Sequence, residues 1–367
     1  MQQQKQICLQ KQLSINYCPW LVARNDDNGD QIFYNIHEPQ SCYRCRIPEL
    51  VGKRIHECFH GWVILSNHHH THWFLWNPAT ANSTLIRLPR LLMKSCPLER
   101  YLLSPPDVPG SILLLATEGK PNFVFCRLDH RERKSRLRWI KMSCAQQLSS
   151  ITGRHDKIEI LACLTSCCNG EVYAAAPAGD CVVKIVIVVK EKSVMISLLP
   201  FVNLPRPPNP SFGAVYSCRF LTGSSLELLV IFVGIADPHK LKPVDVCLFK
   251  LDISSMVWVE KEDLKDIVLY MEMDGDGFCR VIVSEFGGGY VHILHQRDKV
   301  VYSYNVKDKT ISMSFLRHYL DLSPSNVAVW PMPDPEFRYY CLSSIPHHHL
   351  QYTCFTCYIY KPKCFKL

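Results

Sequence analysis

Phe74–Pro89 reads FLWNPATANSTLIRLP, and the fold is decided there. An apolar strand runs into Asn77-Pro78, a polar turn follows, and a second strand ends in Leu88-Pro89. Aromatic and β-branched residues favour strands, while Pro and Asn favour the turn between them. The stretch therefore reads as a β-hairpin. A shorter apolar strand, Gly61–Ser66 (GWVILS), stands just before it.

The same unit recurs along the chain. Hairpin-like copies are Phe33–Leu50, Phe123–Met142, Val183–Pro200, Cys247–Glu260 and Val301–Met313. Apolar strands precede several of them, at Ser111–Ala116, Gly170–Ala176 and Gly289–Leu294. No long segment carries a 3.6-residue apolar period, so helices are not expected as a main element. A strand plus a hairpin repeated every roughly 40–60 residues matches the blade of a β-propeller. One blade cannot bury both of its faces, and radial packing around an axis does so.

The expectation is an all-β fold, a single propeller of about six blades, or seven if Phe212–Gly234 supplies another. Residues 1–16 form an N-terminal extension, 17–335 the propeller, and 336–367 an atypical tail. Leu204–Pro210 and Ser104–Gly110 read as Pro-rich loops between blades. Trp62, Trp76, Trp258 and Trp330 sit at comparable places in the repeats and are expected mostly in the core between blades.

The chain has 367 residues and a formal net charge of +8, with both signs spread along it. That permits an acidic partner and does not argue for nucleic acid. Nineteen cysteines occur at irregular spacings. The N-terminal residues lack the apolar core of a secretory signal. Reduced thiols are therefore expected, in the cytoplasm or the nucleus. The most apolar stretch, Cys181–Phe201, is interrupted by Lys184, Lys190, Glu191 and Lys192, so it reads as two strands and a turn and not as a membrane span.

Several clusters carry candidate chemistry. His68, His70 and His72 lie in one polar turn, and Arg131, Arg133 and Lys134 belong to the strongest basic cluster, beside Trp139. These six are the candidates for partner binding. Cys354, Cys357, Cys364 and His348 in the tail are the metal-ligand candidates, because Cys pairs two apart can supply half of a tetrahedral zinc site. Cys42, Cys45, Cys58 and His60 offer a less regular set that reads as strand cysteines. Asp274-Gly275-Asp276-Gly277 and Gly287-Gly288-Gly289 read as turns, the latter as a hairpin turn. No G-x-S-x-G, H-E-x-x-H or Walker pattern is present, so no catalytic residue, cofactor or enzymatic activity is expected.

Pro19-Trp20-Leu21-Val22, Ile47-Pro48-Glu49-Leu50 with Gly61–Ser66, and Asn77-Pro78-x-Thr80 with Leu88-Pro89 together resemble the plant KIB-type β-propeller domain of many F-box proteins. Val246–Trp258 followed by Ser284-Glu285-Phe286, then Tyr304–Lys309 and Val329-Trp330, continue the likeness to about Pro333. The resemblance implies a propeller that recognises a protein target. F-box members recruit a Skp-cullin ubiquitin ligase through a helical segment ahead of the propeller. Only about 16 residues precede Tyr17 here, so any ligase link is expected to be indirect. The expected function is thus non-enzymatic protein recognition. The alternatives are a metal-assisted or hydrolytic site at the axis, or a truncated member without function.

Overall fold

The computed structural model describes residues 20–330 apart from several loop segments, together with Phe365–Lys366. The longest omitted segments are 25–30, 36–41, 78–84, 93–98, 129–136, 154–160 and 316–326. Among the described residues the fold is nearly all β.

The chain opens with β1 (Trp20–Arg24), β2 (Gln31–Asn35) and β3 (Cys42–Cys45), followed by a 3-10 turn at Pro48–Leu50. Blade 1 is β4 (Lys53–Phe59), β5 (Trp62–Asn67), β6 (Trp73–Trp76) and β7 (Leu85–Arg87). Blade 2 is β8 (Glu99–Leu102), β9 (Ile112–Ala116), β10 (Phe123–Arg127) and β11 (Trp139–Met142). Blade 3 is β12 (Ala162–Cys167), β13 (Glu171–Ala176), β14 (Cys181–Val189) and β15 (Val194–Asn203). Blade 4 is β16 (Tyr216–Gly223), β17 (Leu228–Ile235), β18 (Pro243–Asp252) and β19 (Val257–Glu260). In each of these the strands lie side by side in chain order and pair antiparallel.

Blade 5 departs from that rule. It holds β20 (Val268–Met273), β21 (Cys279–Ser284), β22 (Tyr290–His295), β23 (Val300–Asn305) and β24 (Thr310–Phe315). Their order is β21-β20-β22-β23-β24, and β22 pairs parallel to β20. The chain therefore crosses over the end of β20 between β21 and β22. Gly288 and Gly289 lie in this crossover and not in a hairpin turn. A Cβ at Gly288 would sit 2.0 Å from the Lys265 carbonyl oxygen, so the crossing demands a residue without a side chain.

A further sheet joins the two ends of the chain. β25 (Val327–Trp330) pairs with β1, and β26 (Phe365–Lys366) pairs with β3, giving the order β25-β1-β2-β3-β26. The expected count of about six or seven blades is corrected by this topology. Five blades are each built from one contiguous stretch of chain. The remaining sheet is no further copy of that unit: it closes the ring from both termini. Phe212–Gly234 gives no extra blade, because it supplies β16 and most of β17 within blade 4. The first strands β4, β8, β12 and β16 approach one another in succession around the axis, and β16 meets β21.

The core lies between blades, and period two explains it. On β9, Leu113 and Leu115 pack with Ile64, Leu75 and Trp73 of blade 1. Leu114 and Ala116 point the other way, onto Val172, Ala174 and Val183 of blade 3. On β17, Leu228, Val230 and Phe232 meet Tyr173 and Val182, while Leu229, Ile231 and Val233 meet Leu269, Met271 and Ile293. Middle strands buried on both faces must be apolar at every position. That is why they read GWVILS and LLVIFVGI instead of alternating.

One helix interrupts the pattern: α1 (Ala145–Thr152), closed by Gly153 at φ 68° in the left-handed region. It docks on blade 3, where the Leu198 amide donates to Gln147 Oε1 at 2.7 Å and Leu148 enters the core.

Candidate functional site

Blade 1 carries a connected set of polar side chains. Its β5–β6 connection, Asn67–His72, is organised by one side chain. Asn67 Oδ1 accepts the amides of Thr71 and His72 at 2.9 and 3.0 Å. Asn67 Nδ2 donates to Thr71 Oγ1 at 3.0 Å. His70 takes φ 51° to complete the turn. The Leu91 amide then donates to the Thr71 carbonyl at 2.8 Å, fastening the segment after β7 to the same loop. An Asn side chain that mimics a backbone turn in this way fixes a loop before any partner arrives.

Beneath the loop lies a buried stack. Ser66 Oγ lies 2.9 Å from the Asn67 carbonyl, 2.7 Å from His56 Nε2 and 3.0 Å from His70 Nδ1. A hydroxyl has one proton and two lone pairs. With the proton given to the carbonyl, both histidines serve as donors to the same oxygen. His56 stacks on Trp73 at 5.1 Å between ring centroids, and His70 lies 5.4 Å from His56. The Trp73 indole donates to the His70 carbonyl at 2.9 Å. Arg100, from β8 of the next blade, sits 5.7 Å over the Trp73 ring, a cation–π contact made in a dry setting. Ser66 and Trp73 are fully buried. A sequestered serine whose proton is held by a carbonyl serves as a structural hub for the two histidines.

The sequence candidates fall differently around this geometry. His70 turns inward onto Ser66. His72 Nδ1 lies 3.1 Å from Thr71 Oγ1 and is half-buried. His68 lies outside the described residues. Among the described residues of the loop, the side chain presented to solvent is His69. Arg131, Arg133 and Lys134 also lie outside the described residues, in the β10–β11 connection. Cys354, Cys357, Cys364 and His348 lie outside the described residues as well. So do the Asp274–Gly277 turn and the side chains of Cys42 and Cys45. Among the described residues, no three His, Cys, Asp or Glu side chains converge as a metal site. No helix among them is long and apolar enough to cross a membrane.

His56, Ser66, Trp73 and Arg100 were not singled out from sequence. The available signal was a polar residue, Ser66, ending a strand buried on both faces. A second ring stack occurs in blade 5, buried except for Tyr290 at its exposed end. His292 lies between Tyr270 and Tyr290 at 5.2 and 5.8 Å, and its Nδ1 is 2.8 Å from Ser303 Oγ.

The cysteines behave as core residues. Burial pushes the thiols of Cys58 and Cys126 up to about 12, and those of Cys144 and Cys247 up to about 11. Cys58, Cys126, Cys181 and Cys247 carry free thiols.

Among solved structures, the chain is similar to a putative 6-phosphogluconolactonase from Bacteroides uniformis. The identity is 9%, over 86% of this chain and 97% of that one, with a TM-score of 0.36. It is also similar to a catalytically inactive virginiamycin B lyase from Staphylococcus aureus with quinupristin, at 9% identity over 83% and 86% of the two chains and a TM-score of 0.34. At such scores these likenesses say nothing of activity. A search of curated protein sequences finds no match. The family model for the KIB1-4 β-propeller matches residues 33–303, well over half of the chain. The blades described above take up most of that span, and this chain belongs to the KIB1-4 β-propeller family.

Proposed function

We propose that the chain is a protein-recognition module of the kind that presents substrates to F-box ubiquitin ligases, and that the face carrying Asn67–His72 meets the partner. The observation that supports this most is the preorganised loop. Asn67 Oδ1 accepts two backbone amides at 2.9 and 3.0 Å, so the loop pays little ordering entropy on binding. His69 is presented on its outer side, and the buried His56–Trp73–Arg100 stack holds it from below. A surface built this way suits a protein partner in the cytosol or nucleus better than a small molecule, which needs a concave pocket.

Affinity purification of the tagged chain, read by mass spectrometry, tests the reading. A reproducible client recovered by the native chain and lost with Asn67→Ala supports it. Skp and cullin subunits recovered with that client would add the ligase connection. Equal recovery with Asn67→Ala removes the loop from the interface, and no reproducible client removes the recognition reading.

A further inference from the structure

We propose that β24, the outer edge of blade 5, is a docking strand for an extended segment of a partner protein; this rests on the recognition reading above and names a second surface for it. The inference comes from comparing the outer edges of the sheets. An open edge strand is a template for pairing with another chain, and native proteins guard it with charge, Pro, a bulge, shortness or a cover. β7 is three residues long and ends in exposed Arg87. β11 carries exposed Lys141. β15 contains Pro200 beside a register shift at Val182/Val183. β19 is four residues long and ends in Glu260. β3 is covered by β26.

Among the described residues, β24 has none of these guards. Its six residues, TISMSF, carry no charge and no Pro, and they pair with β23 without interruption from Thr310 to Phe315. Ile311, Met313 and Phe315 fall on one face at period two and are 38%, 50% and 60% exposed. Thr310 and Ser312 take the other face. Strand addition to such an edge gets affinity from main-chain hydrogen bonds and specificity from alternate side chains. The closing sheet already shows this fold accepting an added strand, β26 on β3.

Charge decides the occupant. The β23–β24 turn exposes Lys307 and Lys309 against the single carboxylate of Asp308. The segment that fits is extended, with apolar residues at alternate positions, and it carries carboxylates at the end that lies beside Lys307 and Lys309.

The test uses the full chain and a capped peptide, DEVTVTVT, as probe. Hydrogen–deuterium exchange is expected to show slowed amides at 310–315 when the probe is added. Met313→Lys and Phe315→Lys, both at exposed positions, should each weaken probe binding at least tenfold without lowering the melting temperature. Unchanged probe affinity in both variants overturns the proposal. So does protection of 310–315 in the free monomer, which would mean that the chain's own tail fills the edge. Concentration-dependent dimers abolished by Met313→Lys would overturn it in favour of a second copy. If client capture by Met313→Lys equals that of the native chain while Asn67→Ala loses it, the docking strand fails and the recognition reading stands.

Discussion

The indole Nε1 of Trp258 donates a 2.7 Å hydrogen bond to the carbonyl of Asn203, tying the outermost strand of blade 4 to the end of the outermost strand of blade 3. Trp139 makes the same bond two steps earlier in the ring, to the carbonyl of Pro89 after β7, also at 2.7 Å. In both cases the Trp stands on the fourth strand of a blade and the acceptor follows or ends the fourth strand of the preceding one. The pair amounts to a repeated rivet on the rim, where less apolar area is buried than between the middle strands. Trp258→Phe keeps an aromatic ring and removes only the donor, so it should cost about 0.5–1.5 kcal/mol, the net worth of one hydrogen bond. Trp139→Phe should cost a similar amount, and the double variant should show near-additive losses because the sites do not touch. Urea unfolding of the three variants checks this; a loss above about 3 kcal/mol in either single variant would show that ring packing and not the bond carries the contact.

Gly288 and Gly52 separate two reasons for a glycine. Gly52 has φ 68° with nothing within 4 Å of a built Cβ, so Gly52→Ala meets only backbone strain, about 1–2 kcal/mol. Gly288→Ala brings a methyl group to 2.0 Å from a backbone oxygen that no rotamer can move. It should destabilise the chain more than Gly52→Ala, by forcing the crossover between β21 and β22 apart. Thermal melts of the two variants side by side decide it, and equal shifts would contradict the crossover geometry.

Much of this architecture was written in local pattern. The hairpins Phe74–Pro89, Phe123–Met142, Val183–Pro200, Cys247–Glu260 and Val301–Met313 became β6–β7, β10–β11, β14–β15, β18–β19 and β23–β24. They were legible because outer strands alternate and end at strong turn formers. Cys181–Phe201 proved to be two strands, β14 and most of β15, as its charges required. The first strands of the blades were harder to see. β8 and β4 carry Arg100, Glu57 and Arg54 amid apolar residues, because they line the axis or reach across to the next blade. His60 and Gly61, both at positive φ, form the two-residue turn between β4 and β5, and that hairpin signal was missed. The blade count failed for a topological reason. Phe33–Leu50 looks like the other copies, yet its strands complete a sheet with β25 from the far end of the chain, a pairing that no local pattern announces. The His56–Ser66–Trp73–Arg100 cluster was hidden for the same reason, since it joins two blades.

Asn67 makes a sharper test of the loop than any of the histidines. Asn67→Ala removes the acceptor for the Thr71 and His72 amides and the donor to Thr71 Oγ1, while leaving β5 intact. By analogy with a lost helix cap, the cost should be about 0.5–2 kcal/mol. Asn67→Asp keeps the acceptor and should recover most of it. Amide exchange at Thr71 and His72 should rise in the Ala variant and stay slow in the Asp variant; fast exchange in both would mean that the Trp73–His70 bond, not Asn67, holds the loop.

Asp252 gives a pH signature at the β18–β19 turn. Its carboxylate accepts the Ser254 amide at 3.0 Å and the hydroxyls of Ser254 and Ser255 at 2.7 and 2.8 Å. These bonds, led by that of Ser254, pull its pKa from 3.8 to about 2. The unfolded chain takes up this proton more readily than the folded one. The contribution to stability is therefore complete above about pH 4 and is lost as the pH falls through about 2. The stability gap between the native chain and Asp252→Asn should narrow across that window, and a gap that is constant from pH 5 to pH 2 would count against the turn.

The cysteines allow a test that needs no substitution. A thiol held near 12, as in Cys58 and Cys126, has almost no thiolate at pH 8, and the thiolate is the form that reacts. Burial adds a steric block. Iodoacetamide at pH 8 should leave both unmodified in the native chain and modify both within minutes in urea. Cys126 sits in the packed layer between blades 1 and 2 and Cys58 on β4, so their labelling rates in dilute urea report opening at those two places. Labelling of Cys126 that tracks global unfolding would show that blades 1 to 3 open together. Faster labelling of Cys58 than of Cys126 would place the weakest packing at β4, beside the closing sheet, where the two ends of the chain meet.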